Sequence, residues 1–262
     1  MNYFDNELNI LEWFKPIPGE KIYVPYENQI CLDLYCSLTI EEDFSKWMNS
    51  SGKSDPPPDF YNPSMRMMMD VMRIDDHGRI DEKGKVINLI NQRERIIQKE
   101  LREGGFLDHF PNLQSVFVNA VTQLSGKEDH NYDYYLNNFR RTVEKHKRSI
   151  PLYRKNHPDY SVVFFVFDES SGYVVAENEE QAQHSFNVGE EFYCRPYLHF
   201  DDKQFVKSFV NSDIDYVIWF SPFKHFETNM PELPRACIYD VKRMDLNDFL
   251  DYPQTLIMSP EA

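Results

Sequence analysis

Two carboxylates eleven positions apart are the first residues here that could do chemistry: Asp59, in "PPPDF", and Asp70, in "MMMDVM". In an extended strand successive side chains point to opposite faces. Met67, Met69 and Val71 therefore share one side, and Arg66, Met68, Asp70 and Met72 share the other. Asp59 stands at a proline-stiffened entry to that strand. Carboxylate oxygens are hard ligands for a divalent cation, and Asp75, Asp76 or His77 lies just downstream to complete a set. The plainer reading is a methionine-rich core strand with Asp70 hydrogen-bonded at its end.

A second stretch echoes the first. In "ACIYDVKRM", Ala236, Ile238, Asp240 and Lys242 alternate onto one face, so Asp240 and Lys242 become neighbours, with Asp213 or Asp215 as a further acid. An acid and a lysine two apart on an edge strand equally make a surface ion pair of small energy. Asp168 and Glu169 end the apolar run "VVFFVFDES", as accessory metal ligands or as a polar turn before Gly172.

The segment "PPPDFYNPSMRMMMDVM" resembles the signature of the restriction-endonuclease-like superfamily, in which Pro-Asp is followed after a gap by an acid, any residue and a lysine on one strand. The resemblance covers only this short segment. It implies a restriction-endonuclease-like core and catalytic Asp59 and Asp70 that hold Mg2+ or Mn2+, with Asp75 as a further ligand. It also implies a lysine that orients or deprotonates the attacking water. The chain departs from the pattern at that lysine, where Met72 can do neither. Lys83 and Lys85, in or just past the next turn, are the places from which a displaced lysine could come.

Other constellations fail on spacing. "SSGKS" looks like part of a phosphate loop, but "DPPPD" after it forbids the required helix. His184, Cys194, His199 and Asp201 match no zinc spacing, and no G-x-S-x-G is present.

Net charge is −15, from 43 acids against 28 Lys and Arg, which favours solubility and repels nucleic acid at long range. The charge is uneven: "RRTVEKHKRSIPLYRK", from Arg140 to Lys155, holds seven of the 28 cations and a single acid. Arg140, Arg141, Lys145, Arg148 and Lys155 are the candidates to neutralise phosphates beside a cleavage site. The alternative is a solvated helix face docked on the acidic surface of the same chain.

Two functions follow. One is a metal-dependent nuclease-like protein acting on nucleic acid, active or decayed, in which Asp70→Ala abolishes cleavage and leaves folding intact. The other is a non-enzymatic acidic interaction protein that binds a basic, nucleic-acid-binding protein. Gathering of Asp59, Asp70 and the basic helix around one cleft favours the first, and dispersal favours the second.

The elements that must position these residues read as an α+β protein, a mixed sheet flanked by helices. A main domain over 51–262 is preceded by a mixed segment or appendage over 1–50. "KIYVPY" and "QICLDLYCSLTI" have strand character, and "TIEEDFSKWMN" suits a helix capped by Thr39. "SSGKSDPPPDFYNPS" reads as a loop and "MRMMMDVMRI" as a strand. "NQRERIIQKELREGG" reads as a helix closed by Gly104–Gly105, and "LQSVFVNAVTQL" as a strand. In "YDYYLNNFRRTVEKHKRS" the helical period puts Tyr135, Phe139, Val143 and His146 on one face. "DYSVVFFVFDESSGYVVA" gives two strands, "DDKQFVKSFVN" a short helix, and "DIDYVIWFSP" and "RACIYDVKR" the last strands. No apolar run approaches the length of a membrane span, and the acidic start "MNYFDNELNILEWF" lacks the basic region of a secretory signal. Four cysteines without metal or disulfide spacing suggest reduced thiols and a cytoplasmic location.

Overall fold

The computed structural model describes residues 6–15, 21–26, 28–51, 58–80, 86–110, 130–184, 193–224 and 233–260. Seven strands form one mixed sheet, in the spatial order β1 (Ile22–Tyr23), β11 (Ala236–Asp240), β10 (Tyr216–Phe220), β7 (Ser161–Asp168), β4 (Met67–Ile74), β3 (Phe60–Asn62) and β2 (Met48–Asn49). The centre is parallel. β4 runs beside β7 from Met67↔Ser161 to Ile74↔Asp168, and β10 flanks β7 from Tyr216↔Val163 to Phe220↔Phe167. β3 is antiparallel to β4, and β11 to β10. A small sheet of β12 (Ile257–Met258), β8 (Val174–Ala176) and β9 (Cys194–Pro196) lies apart, as does the hairpin of β5 (Gly78–Ile80) and β6 (Val86–Asn88). The helices are α1 (Glu7–Phe14), α2 (Gln29–Thr39), α3 (Glu41–Phe44), α4 (Leu89–Glu103), α5 (Tyr132–Lys147), α6 (Ile150–Asn156), α7 (Glu179–Gln183) and α8 (Lys203–Val206). The protein is thus α+β, a mixed sheet flanked by helices.

Period-two alternation sorts the strand residues onto two packed faces, as burial on both sides of a parallel sheet requires. Met67, Met69, Val71, Val163, Phe165 and Phe167 meet Ile10, Leu11 and Phe14 of α1 and Cys31, Leu34 and Leu38 of α2. Met68, Met72, Ile74, Val162, Phe164 and Val166 meet Tyr135, Phe139 and Val143 of α5 and Tyr153 of α6. No helix among the described residues is long and apolar enough to cross a membrane.

Several expectations change. Residues 29–39 form a helix, not a strand: Cys31, Leu34 and Leu38 make a helical stripe, and the Asn28 side chain accepts from the Ile30 N–H as the cap. Thr39 ends α2 rather than capping a helix, and α3 begins at Glu41. Phe60–Asn62, inside the expected loop, is a strand because β4 offers it a partner. β11 stops at Asp240, and Val241–Arg243 is a turn of 3-10 helix, so Lys242 is not on the strand. β1 and β2 are outer strands of the main sheet, and α1 and α2 cover one of its faces. These elements of the mixed N-terminal segment thus join the main sheet and its packing. The strand expected at "LQSVFVNAVTQL" lies outside the described residues.

His199 is buried in this core, its Nε2 2.9 Å from Ser221 Oγ and its Nδ1 without a partner. Burial pulls its pKa well below the usual histidine value, and the nearby Lys224 ammonium acts in the same direction. Folded His199 thus stays neutral where the unfolded chain takes a proton, near pH 6.5. Its contribution is intact above that pH and is lost as pH falls. The stability gap between wild type and His199→Gln, followed by urea unfolding, is expected to narrow by up to about 1.4 kcal/mol per pH unit below pH 6.5. A gap independent of pH would show that His199 ionises freely in the fold.

Candidate functional site

The β3–β4 hairpin brings the two predicted carboxylates together. Its turn is closed by Asn62, whose Oδ1 accepts from the Ser64 and Met65 N–H groups at 3.0 and 3.1 Å, and by Arg66 at φ 52°. Phe60 pairs with Met69, so the ladder between β3 and β4 ends there. Asp59, immediately before β3, continues it with its side chain: Oδ2 accepts from the Val71 N–H at 2.8 Å. That geometry sets the Asp59 carboxyl against Asp70.

Asp70 is 4% exposed and points toward α5 and α6. Its Oδ2 accepts from His146 Nδ1 at 2.6 Å and from the Tyr153 hydroxyl at 2.9 Å. Burial, and then the Asp70 charge, push the Asp59 carboxyl up to about 8, against the opposing Val71 N–H; Glu7 adds to the rise. The same pairing drives Tyr153 up, through burial and the adjacent Asp70 charge.

A cavity of about 350 Å³ opens between α1, β4 and α5, lined by Glu7, Met72, Arg73, Thr142, Lys145 and His146 among others; neither Asp59 nor Asp70 lines it, and His146, the partner of Asp70, joins it to the pair. Met72, at the position where the resembled pattern has lysine, and Lys145 of α5 line the same space. Two cations thus face this space, Arg73 from β4 and Lys145 from α5. Two adjacent carboxylates are hard oxygen donors, and the Asp59 carboxyl also feels the Glu7 charge.

The other candidates disperse. Asp75 follows the end of β4, five residues past Asp70 and about 16 Å along the strand at 3.3 Å per residue, so it does not join Asp59 and Asp70. Of the five predicted phosphate contacts, Lys145 lines the cavity. Arg140 donates to the Gln204 carbonyl and side chain, Arg141 to Asn138, and Arg148 and Lys155 are exposed. Asp240 is not a partner of the Lys242 ammonium; its carboxylate accepts from the Lys242 N–H and from Asn28 Nδ2. The Lys242 ammonium donates to the Ser212 carbonyl instead. Lys83 and Lys85 lie outside the described residues.

Asp168 ends β7 and Glu169 follows it; neither lines the cavity, but Glu169 reaches its edge through Arg73. Glu169 holds Arg73 in a two-pronged ion pair at 2.9 Å for each contact. Asp168 is buried under Tyr135, Trp219, Ser170 and Lys224. Residues the sequence reading missed are Tyr153 and Lys224, which no spacing flags, and the pairing of His146, whose helical face alone was legible. Compared with family models, curated proteins and solved structures, the chain matches none of them.

Proposed function

We propose that this protein hydrolyses phosphodiester bonds of nucleic acid at the Asp59–Asp70 cleft, with Mg2+ or Mn2+ as its cation. The observation behind this reading is the meeting of Asp59 and Asp70 beside a cavity walled by α5, which opens the chain's most basic segment. Asp59 and Asp70 would hold the cation, which would offset their charge and that developing on a phosphate. Asp70 fixes His146 through Nδ1, which leaves Nε2 to take a proton from an attacking water. Lys145, on the cavity wall, meets a phosphate oxygen as a point charge.

The test is cleavage of labelled single-stranded DNA, duplex DNA and RNA by the purified chain, with Mn2+, Mg2+ or chelator. Metal-dependent cleavage that disappears in Asp59→Asn is the expected result. Lys145→Ala is expected to weaken binding of all sequences alike and to reduce the salt slope by about 1. Absence of cleavage on all three substrates would overturn the reading.

One observation supports the acidic interaction protein instead. Away from the cleft the basic segment is occupied by its own chain, Arg140 by Gln204 and Arg154 by the Asp213 carbonyl and Asp215. That arrangement leaves much of the −15 charge for a basic protein partner, whose binding would then weaken steeply with salt.

A further inference from the structure

We propose that Asp76, His77 and His130 form a site for a divalent transition metal of the zinc class, remote from the Asp59–Asp70 cleft and independent of the hydrolase reading. One ligand atom from each of the three lies within 4.8 Å of the other two. Asp76 is wholly buried. Its Oδ2 accepts from the Tyr173 hydroxyl at 2.8 Å, from His130 Nδ1 at 3.1 Å and from Ser171 Oγ at 3.3 Å. Its Oδ1 has no hydrogen-bond partner. A buried carboxylate oxygen left unpaired is costly, so such an atom points to a ligand.

His77 Nδ1 stands 3.7 Å from Asp76 Oδ1. That is too long for a hydrogen bond but close to the edge of about 3.3 Å between two ligands placed 2.0–2.1 Å from a tetrahedral zinc ion. The two imidazoles lie 4.9 Å apart between ring centres, at 62°. Their side chains keep 21% and 10% of their exposure, so an ion can enter and a fourth position stays open to water.

The scaffold around the three is fixed. Asp76 and His77 follow β4, and His130 precedes Asn131, the N-cap of α5. The Asn131 N–H donates to the Asp76 carbonyl at 3.1 Å, and Asn138 Nδ2 to the Asp75 carbonyl at 3.2 Å. Loop and helix start are thereby pinned together at the carboxyl ends of the parallel strands β4 and β7, where open sheets with parallel strands take ligands. Two imidazoles and one carboxylate form a borderline donor set, which selects Zn2+, Co2+ or Ni2+ over Mg2+ and Ca2+. Tyr173 and Ser171 then act as the outer donors that orient the carboxylate. The rival arrangement is metal-free: an Asp76 carboxylate balanced by protonated His130 and the Lys224 charge.

The test uses the full chain stripped of metal, titrated with Zn2+ by calorimetry and with Co2+ by visible absorption. Wild type and Asp59→Asn are expected to bind one Zn2+ at this site and to give the strong visible bands of tetrahedral Co2+. His77→Ala, at a partly exposed position whose circular dichroism checks folding, is expected to lose both. Tyr173→Phe is expected to bind about 10–100-fold more weakly. A wild type that binds no Zn2+, or a His77→Ala variant that binds it with unchanged affinity, would overturn the site.

Discussion

Asp168→Ala is expected to lower the unfolding free energy by about 3–5 kcal/mol, the cost of removing one partner from a buried ion pair. Asp168 is fully buried at the end of β7. Its Oδ2 accepts from the Tyr135 hydroxyl at 2.5 Å and from Trp219 Nε1 at 2.8 Å, and its Oδ1 from Ser170 Oγ at 2.6 Å. Lys224 Nζ lies 3.4 Å away, and its side chain is only 2% exposed. Burial pulls the Lys224 ammonium below the usual lysine range, and Asp168, followed by Asp76, supports its charge. Without Asp168 that ammonium keeps the uncharged Ser170 Oγ, Ser171 carbonyl and Tyr135 ring, and of its two supporting carboxylates only the weaker, Asp76. Lys224→Met in the Asp168→Ala background removes the orphaned cation, so the pair of changes should cost about 1–3 kcal/mol less than the sum of the two alone. Urea unfolding of the four proteins measures this. A loss under 1 kcal/mol for Asp168→Ala would mean that water reaches the pair.

The parts of this protein legible in its sequence are those in which local pattern and tertiary environment agree. "SVVFFVFD" and "MMMDVMRI" are apolar on both sides, and both became central parallel strands. The stripe Tyr135, Phe139, Val143 and His146 on α5 was legible for the same reason. Residues 29–39 were misread because Cys, Leu and Tyr suit a strand, while the arbiter was the spacing of Cys31, Leu34 and Leu38 behind the Asn28 cap. Phe60–Asn62 could not be seen as a strand among prolines, because only the partner β4 makes it one.

The candidate site divides along the same line. Asp59 and Asp70 were legible as a pair because a tight hairpin sets their distance. The meeting of Lys145 with Met72 on one cavity wall was not, because the two lie more than 70 residues apart in the chain. Asp76 and His130 lie 54 residues apart, and only the packing of α5 against the end of β4 joins them.

Asp70→Asn is expected to reduce nucleic-acid cleavage by about 10²–10⁴-fold while the chain stays folded, the range for losing a positioned acid–base group. The amide keeps the volume of the carboxylate in a site that is 4% exposed, but it cannot offer two charged acceptors. His146 Nδ1 then loses the negative partner that fixes which ring nitrogen bears the proton, and the cation loses one of its two carboxylates. Asp70→Ala is the poorer test, and the expectation that it leaves folding intact changes with the structure in hand. Alanine strips the acceptor from the buried Tyr153 hydroxyl, at about 1–3 kcal/mol, and from the partly exposed His146. Tyr153→Phe separates the two roles, since it removes one donor to Asp70 and leaves His146 in place. It is expected to cost about 1 kcal/mol of stability and to leave the single-turnover cleavage rate within a few-fold of wild type. Rates measured with Mn2+ in excess, beside urea unfolding of each variant, decide the matter. An Asp70→Asn protein that cleaves at the wild-type rate would take Asp70 out of the chemistry and return it to a core strand, where its hydrogen bonds to α5 and α6 are structure alone.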